Sequence, residues 1–110
     1  MNQYVNQLAV NQLVQEVGDE NVPFLFGIFC DELHDFIDTL SSQPEIDKVR
    51  EISHCLKSSA GSFGADKLAG MAIDVEEKAK SHQKEWVQNN MSEFVDIARQ
   101  TERAYREFLI

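Results

Sequence analysis

His54 is the residue of this 110-residue chain whose type and neighbours point most directly to chemistry. An imidazole with an ordinary pKa of about 6.5 is mostly neutral at pH 7 and keeps a nucleophilic ring nitrogen. At about 100° per residue of helix, Val49, Ile52, Leu56, Ala60 and Phe63 fall within an arc of roughly 80°, and His54 lies roughly 160° from its centre. The arc must face a core, so the imidazole projects into solvent. Arg50, Lys57, Ser58 and Gly61 share its face, at i−4, i+3, i+4 and i+7. Two cations beside an exposed ring suit a histidine that carries a phosphoryl group, with Lys57 offsetting the added negative charge. Ser58 and Gly61 leave the far side of the ring open, so a partner's active site can close over it. The bland alternative is a polar residue on a solvated face.

Other constellations carry less. Cys30 and His34 are four apart on one helical face, and His54-Cys55 offers two more soft ligands of the kind zinc takes. Adjacent residues diverge by about 100° on a helix, however, and the spacing of a closed zinc site is missing. Cys30 lies in an apolar run, where a cysteine usually acts as a small hydrophobe. A catalytic Cys55 with His54 as base meets the same divergence and needs an oxyanion pocket that a plain bundle does not offer. His82 reads as a solvated helix end, and Trp86 with the phenylalanines as core. No metal site is expected. There is no Gly-rich phosphate loop and no set of ATP-binding boxes, so the chain should not phosphorylate itself.

Charge narrows the partners. Net charge is −9. Residues 1–47 hold nine acidic side chains and no Lys or Arg, and all ten basic residues lie between Lys48 and Arg106. A strongly acidic chain is poorly suited to nucleic acid or to anionic membranes, and a local anion site belongs in the second half. The acidic first half reads as a solvated surface, with repulsion of wrong partners as the alternative. The beginning lacks a signal-peptide pattern and no apolar run could span a bilayer. Two cysteines suit a reduced compartment. The expectation is one cytoplasmic, monomeric domain over residues 1–110.

Few prolines and glycines, and no convincing strand alternation, leave helices. The pattern predicts a first helix over about Gln3 to Val17, with Val5, Leu8, Leu13 and Val17 inward, ended by Gly18. A second, capped by Asp19 or Asn21 with Pro23 in its first turn, runs to about Leu40. A third spans about Pro44 to Ser62 and a fourth about Ala65 to Ser81, with Leu68, Ala72, Val75 and Ala79 inward. Asn89-Asn90 reads as a connection, with Asn90 and Glu93 as a capping box for the last helix. Trp86 and Val87 either extend that helix backward or pack in the connection. The fold class is all-α: an antiparallel four-helix bundle with an additional short N-terminal helix acting as a lid.

His54-Cys55-Leu56-Lys57-Ser58-Ser59-Ala60-Gly61-Ser62-Phe63-Gly64-Ala65 resembles the signature of histidine-containing phosphotransfer (HPt) domains, His-x-Leu-Lys-Gly followed by small residues ending in Gly-Ala. The resemblance takes in nearly the whole chain. Glu51-Ile52-Ser53-His54, Ser62-Phe63-Gly64-Ala65-Asp66 and Asn21-Val22-Pro23 are similar to quorum-sensing members of that family. Ser58 departs from the usual glycine, though the quorum-sensing type shares the serine.

The resemblance implies a phosphorelay intermediate and not an enzyme. His54 would accept phosphate on Nε2 from the receiver aspartate of a hybrid sensor kinase and pass it to the receiver aspartate of a response regulator. Lys57 would neutralise charge, Ser58 and Gly61 would allow close docking, and Gly64 would support the turn into the next helix. Arg50 joins these as a binding candidate. Glu76 is a candidate to orient the other ring nitrogen. The chain would hold no cofactor, the receiver supplying Mg²⁺. Docking would use exposed apolar residues near the His54 end, from the first helix and the start of the second. A phosphate-independent interaction module is the competing class, sharing the fold without needing a nucleophile at position 54.

Overall fold

The computed structural model describes residues 2–109, and every regular element among them is helical. In chain order they are α1 (Gln7–Val17), a 3₁₀ turn (Asp19–Asn21), α2 (Val22–Ser41), α3 (Ile46–Phe63), α4 (Asp66–Lys80), α5 (Lys84–Arg106) and a closing 3₁₀ turn (Glu107–Leu109). Helices α2 to α5 form the four-helix bundle the periodicity predicts, and α1 is the additional short helix. A 23-residue helix is about 34 Å long, which fits the 43 Å long axis of the molecule. Helix α3 packs most extensively on α4, and α2 on α5.

The core follows the apolar stripes. Phe26, Phe29, Leu33 and Leu40 of α2, Ile52 and Leu56 of α3, Leu68 and Val75 of α4, and Phe94 and Tyr105 of α5 are fully enclosed. Phe29 stacks on Phe63 at 4.5 Å between ring centres, and Phe26 meets Tyr105 at 5.3 Å. The Tyr105 hydroxyl donates to the Phe63 carbonyl at 2.6 Å, so α5 satisfies the C-terminal end of α3. Burial raises that phenol's pKa and keeps it a donor.

Three of the four serines of helix α3 are tolerated because their hydroxyls are satisfied within the helix. Ser53 donates to Val49 O at 2.7 Å, Ser59 to Cys55 O at 2.7 Å and Ser62 to Ser58 O at 3.1 Å. Ser59 also reaches Glu32 of α2 at 2.6 Å. The helix stops at Gly64, whose φ of +81° is open to glycine and costly for other residues.

Three expectations need correction. Helix α1 begins at Gln7 rather than near Gln3, because the Asn6 side chain caps it by accepting from Ala9 N at 3.1 Å. Its buried residue is Val10, and Leu8 is 81% exposed. Helix α3 begins at Ile46, after Pro44 and the extended Glu45. Helix α5 begins at Lys84, so Asn90 is no cap: it lies inside the helix and donates its side-chain N–H to Trp86 O at 2.8 Å. The stripe of Val87, Met91 and Phe94 continues past both asparagines, and its packing outweighs their weak helix propensity. The reversal instead lies at 81–83. There His82 takes φ +57° and Gln83 N–H returns to Lys78 O at 3.0 Å.

Gly64 and Gly61 should respond oppositely to alanine. A Cβ at Gly64 would stand 2.8 Å from Ala9 Cβ and 3.2 Å from Asn6 O, where α1 lies on the α3–α4 turn and Asn6 N donates to Gly64 O at 2.8 Å. Gly64→Ala should cost about 2–3 kcal/mol from strained φ and lost packing of α1. A Cβ at Gly61 would meet nothing within 4 Å, so Gly61→Ala should stabilise the isolated chain by about 0.5–1 kcal/mol. Thermal or urea unfolding of the two variants checks both signs.

Candidate functional site

Helices α3 and α4 bring His54, Lys57, Glu76 and Lys80 together. The α3 wheel sets His54 outward, and its side chain is 67% exposed. Glu76 comes from the facing side of α4, between Ala72, Val75 and Ala79 of the core stripe, with its side chain 5% exposed. Glu76 Oε2 is 2.7 Å from His54 Nδ1, and Lys57 Nζ donates to Glu76 Oε1 at 2.7 Å. Lys80, one turn further along α4, places Nζ 3.7 Å from Glu76 Oε2.

A buried carboxylate is normally pushed toward its neutral form. Here the Lys57 hydrogen bond overcomes burial, the His54 bond adds to it, and the charges of Lys57 and Lys80 act in the same direction. Together they lower the Glu76 pKa from 4.5 to about 2. Glu76 is therefore a carboxylate at neutral pH, and an ionised carboxylate only accepts hydrogen bonds. The hydrogen of a neutral His54 must then lie on Nδ1, which leaves the lone pair of Nε2 in solvent. Because the folded pKa is depressed, the stability this group contributes is present above its ordinary pKa and is lost as pH falls through about 2. A carboxyl ¹³C titration should find Glu76 ionised at pH 3, where ordinary glutamates are mostly protonated.

The sequence-derived candidates divide. Arg50, Ser58 and Gly61 lie exposed along the face that carries His54, and Lys57 is half-buried beside it. The open space at Gly61 means that any need for a small residue there comes from outside the chain. Gly64 is not on this face; it is buried under α1 and serves the turn. Glu76 stands where a group orienting the ring must stand. Lys80 was not legible in advance, although an acid on the inner edge of α4 with a lysine four residues on is a signal in retrospect.

The competing sites do not assemble. Cys30 is buried on α2 with its thiol 3.9 Å from Glu102 O, and burial raises its pKa to about 11, against thiolate ligation. His34 lies exposed near Asp38 and Glu102, away from His54. Among the described residues no three His, Cys, Asp or Glu side chains form a metal-binding group. Cys55 is exposed, and the His54 nitrogen nearest the protein is held by Glu76 rather than by a thiol. His82 is exposed in the α4–α5 reversal. Leu8, Phe24 and Ile28 are large apolar side chains left in solvent on α1 and the first half of α2. No helix among the described residues is long and apolar enough to cross a membrane.

Comparison with known proteins shows the family. The Hpt domain family model matches residues 25–106, which carry most of α2 and all of α3, α4 and α5. The chain is 38% identical to "Phosphorelay protein LuxU" of Vibrio cholerae serotype O1 over 112 residues, covering 99% of both chains. It is 39% identical to the LuxU of Vibrio harveyi over 107 residues, covering 94% of both. It is 36% identical to that of Vibrio vulnificus over 104 residues, covering 92% of this chain and 90% of the relative. No solved structure matches the chain. With most of α2 and all of α3, α4 and α5 inside the matched segment and an exposed histidine on the second helix of the bundle, the chain belongs to the Hpt domain family.

Proposed function

We propose that the chain is a phosphorelay intermediate of two-component signalling, working in quorum sensing, with His54 as the phosphoryl carrier. The observation that supports it most is the Glu76 carboxylate on Nδ1, which leaves Nε2 as an exposed nucleophile. In the accepting step the Nε2 lone pair forms a P–N bond while the P–O bond to a receiver's aspartyl phosphate breaks. The receiver carboxylate leaves with the electron pair. Nδ1 keeps its proton, and Glu76 stabilises the positive charge that develops on the ring. Lys57 lies one turn from the ring and can neutralise the incoming phosphoryl oxygens. The same steps run backward toward the aspartate of a second receiver.

The receivers supply Mg²⁺ and the groups that activate the phosphate; this chain supplies a positioned imidazole. It is a carrier without autokinase activity, acting as one cytoplasmic, monomeric domain. The first receiver belongs to a hybrid sensor kinase and the second to a response regulator. Leu8, Phe24 and Ile28 provide the apolar contact, and Arg50, Ser58 and Gly61 lie beneath the docked partner. Resemblance to the LuxU proteins supports the quorum-sensing role.

Incubation with a phosphorylated receiver and Mg²⁺ tests the reading. Acid-labile, base-stable phosphate should appear on the chain and then move to a second receiver. A folded chain that takes no phosphate from several receivers would shift the assignment to a phosphate-independent interaction module.

A further inference from the structure

The site holds one buried carboxylate and two lysines, and the resting geometry occupies only one of them fully. Lys57 Nζ and His54 Nδ1 each lie 2.7 Å from Glu76, while Lys80 Nζ stands 3.7 Å away, beyond a good hydrogen bond. A phosphoryl group on Nε2 brings a second anion to the same face. Lys57 is one turn beyond His54 on α3 and is placed to serve that anion, but doing so draws it off Glu76. A carboxylate 5% exposed that loses its shortest cationic contact is destabilised strongly, because its remaining solvation is poor. Lys80 is on the same helix as Glu76 at i+4, and half its side chain is in solvent. It needs to advance only about one ångström to make a direct charge-assisted bond.

We propose that Lys80 is the stand-in counter-ion of Glu76: it closes on the carboxylate when Lys57 turns to the phosphoryl group on His54, so that both anions stay paired in the phosphorylated state. This rests on His54 being the phosphoryl carrier. Lys80 is thus a positioning residue, acting through Glu76 and Lys57 and not by touching the transferred group. Its presence lets one short cluster neutralise a permanent anion and an intermittent one.

The test is the equilibrium constant for phosphoryl exchange between this chain and an isolated receiver domain that labels it in the presence of Mg²⁺. An equilibrium constant compares free end states, so contacts made only while the partners are docked drop out. Lys80→Met should lower the phosphorylated share of the chain about tenfold, the weight of one charge-assisted hydrogen bond. Lys80→Arg should stay within about twofold of the wild type, since it restores the charge at the same place. In a Glu76→Gln background, where a neutral amide needs no counter-ion, Lys80→Met should change the ratio by less than about twofold. A tenfold loss that persists beside Glu76→Gln would place Lys80 on the phosphoryl group itself and overturn the proposal. No loss in either background would overturn it too. Failure of the folded wild type to take phosphate is a separate result, which would sink the His54 reading and this proposal with it.

Discussion

His54→Gln should yield a folded chain that accepts no phosphate from a charged receiver under conditions that label the wild type. The loss should exceed about a hundredfold, because the nucleophile itself is removed. The fold should survive because the side chain is 67% exposed and packs no core. A glutamine amide can still donate toward Glu76, and Lys57 keeps its own 2.7 Å bond to that carboxylate. Stability should therefore change by no more than about 0.5–1 kcal/mol. Cys55, Ser58 and Ser62 are also exposed on this helix, but the side chains bonded to Glu76 are those of His54 and Lys57. Labelling assayed alongside circular dichroism separates a lost acceptor from a lost fold. Substantial residual label on the variant would point to a different acceptor.

Glu76→Ala carries the second large effect. The alanine variant keeps the nucleophile but frees the ring, so the hydrogen can move to Nε2 and block it. It also removes the negative charge that stabilises the imidazolium forming as phosphate arrives. A hydrogen bond to a charged group contributes about 1.5–3 kcal/mol, which predicts a single-turnover transfer rate roughly 10- to 100-fold slower. Glu76→Gln should fall in between, since its amide oxygen can accept from Nδ1 but carries no charge. Rapid-quench measurement of transfer from one receiver gives all three rates. Equal rates for wild type and Glu76→Ala would remove the carboxylate from the mechanism.

Much of this site is legible in the chain. The apolar arc of Val49, Ile52, Leu56, Ala60 and Phe63 points His54 outward because helix geometry leaves one solution once that arc is buried. Lys57 and Gly61 follow from the same wheel. Gly18 and Gly64 mark two stops, and at both the backbone takes a positive φ that glycine permits. The expected ends of α2 near Leu40 and of α4 near Ser81 match the structure, whereas the expected start of α5 does not. Asn89-Asn90 offered a false break because the apolar stripe of α5 runs through it, while the chain turns at His82, φ +57°, directly after α4. Burial of Leu8 was expected from its own helix, but α1 turns Val10 to the core with Leu13 and Val14 packed beside it and Ala9 at the α3–α4 turn, which leaves Leu8 in solvent. The role of Lys80 depends on the register of α4 against α3, and no spacing within one helix contains that register.

The most direct measurement is the site of phosphate on the chain itself. Imidazole ¹⁵N–¹H correlation spectra of ¹⁵N-labelled chain, recorded before and after phosphorylation, distinguish the two ring nitrogens of each of the three histidines. The result that fits is phosphate on Nε2 of His54 alone, with Nδ1 still protonated and His34 and His82 unchanged. Phosphate on Nδ1 of His54, or on another residue, would contradict a carrier whose reactive nitrogen is set by Glu76.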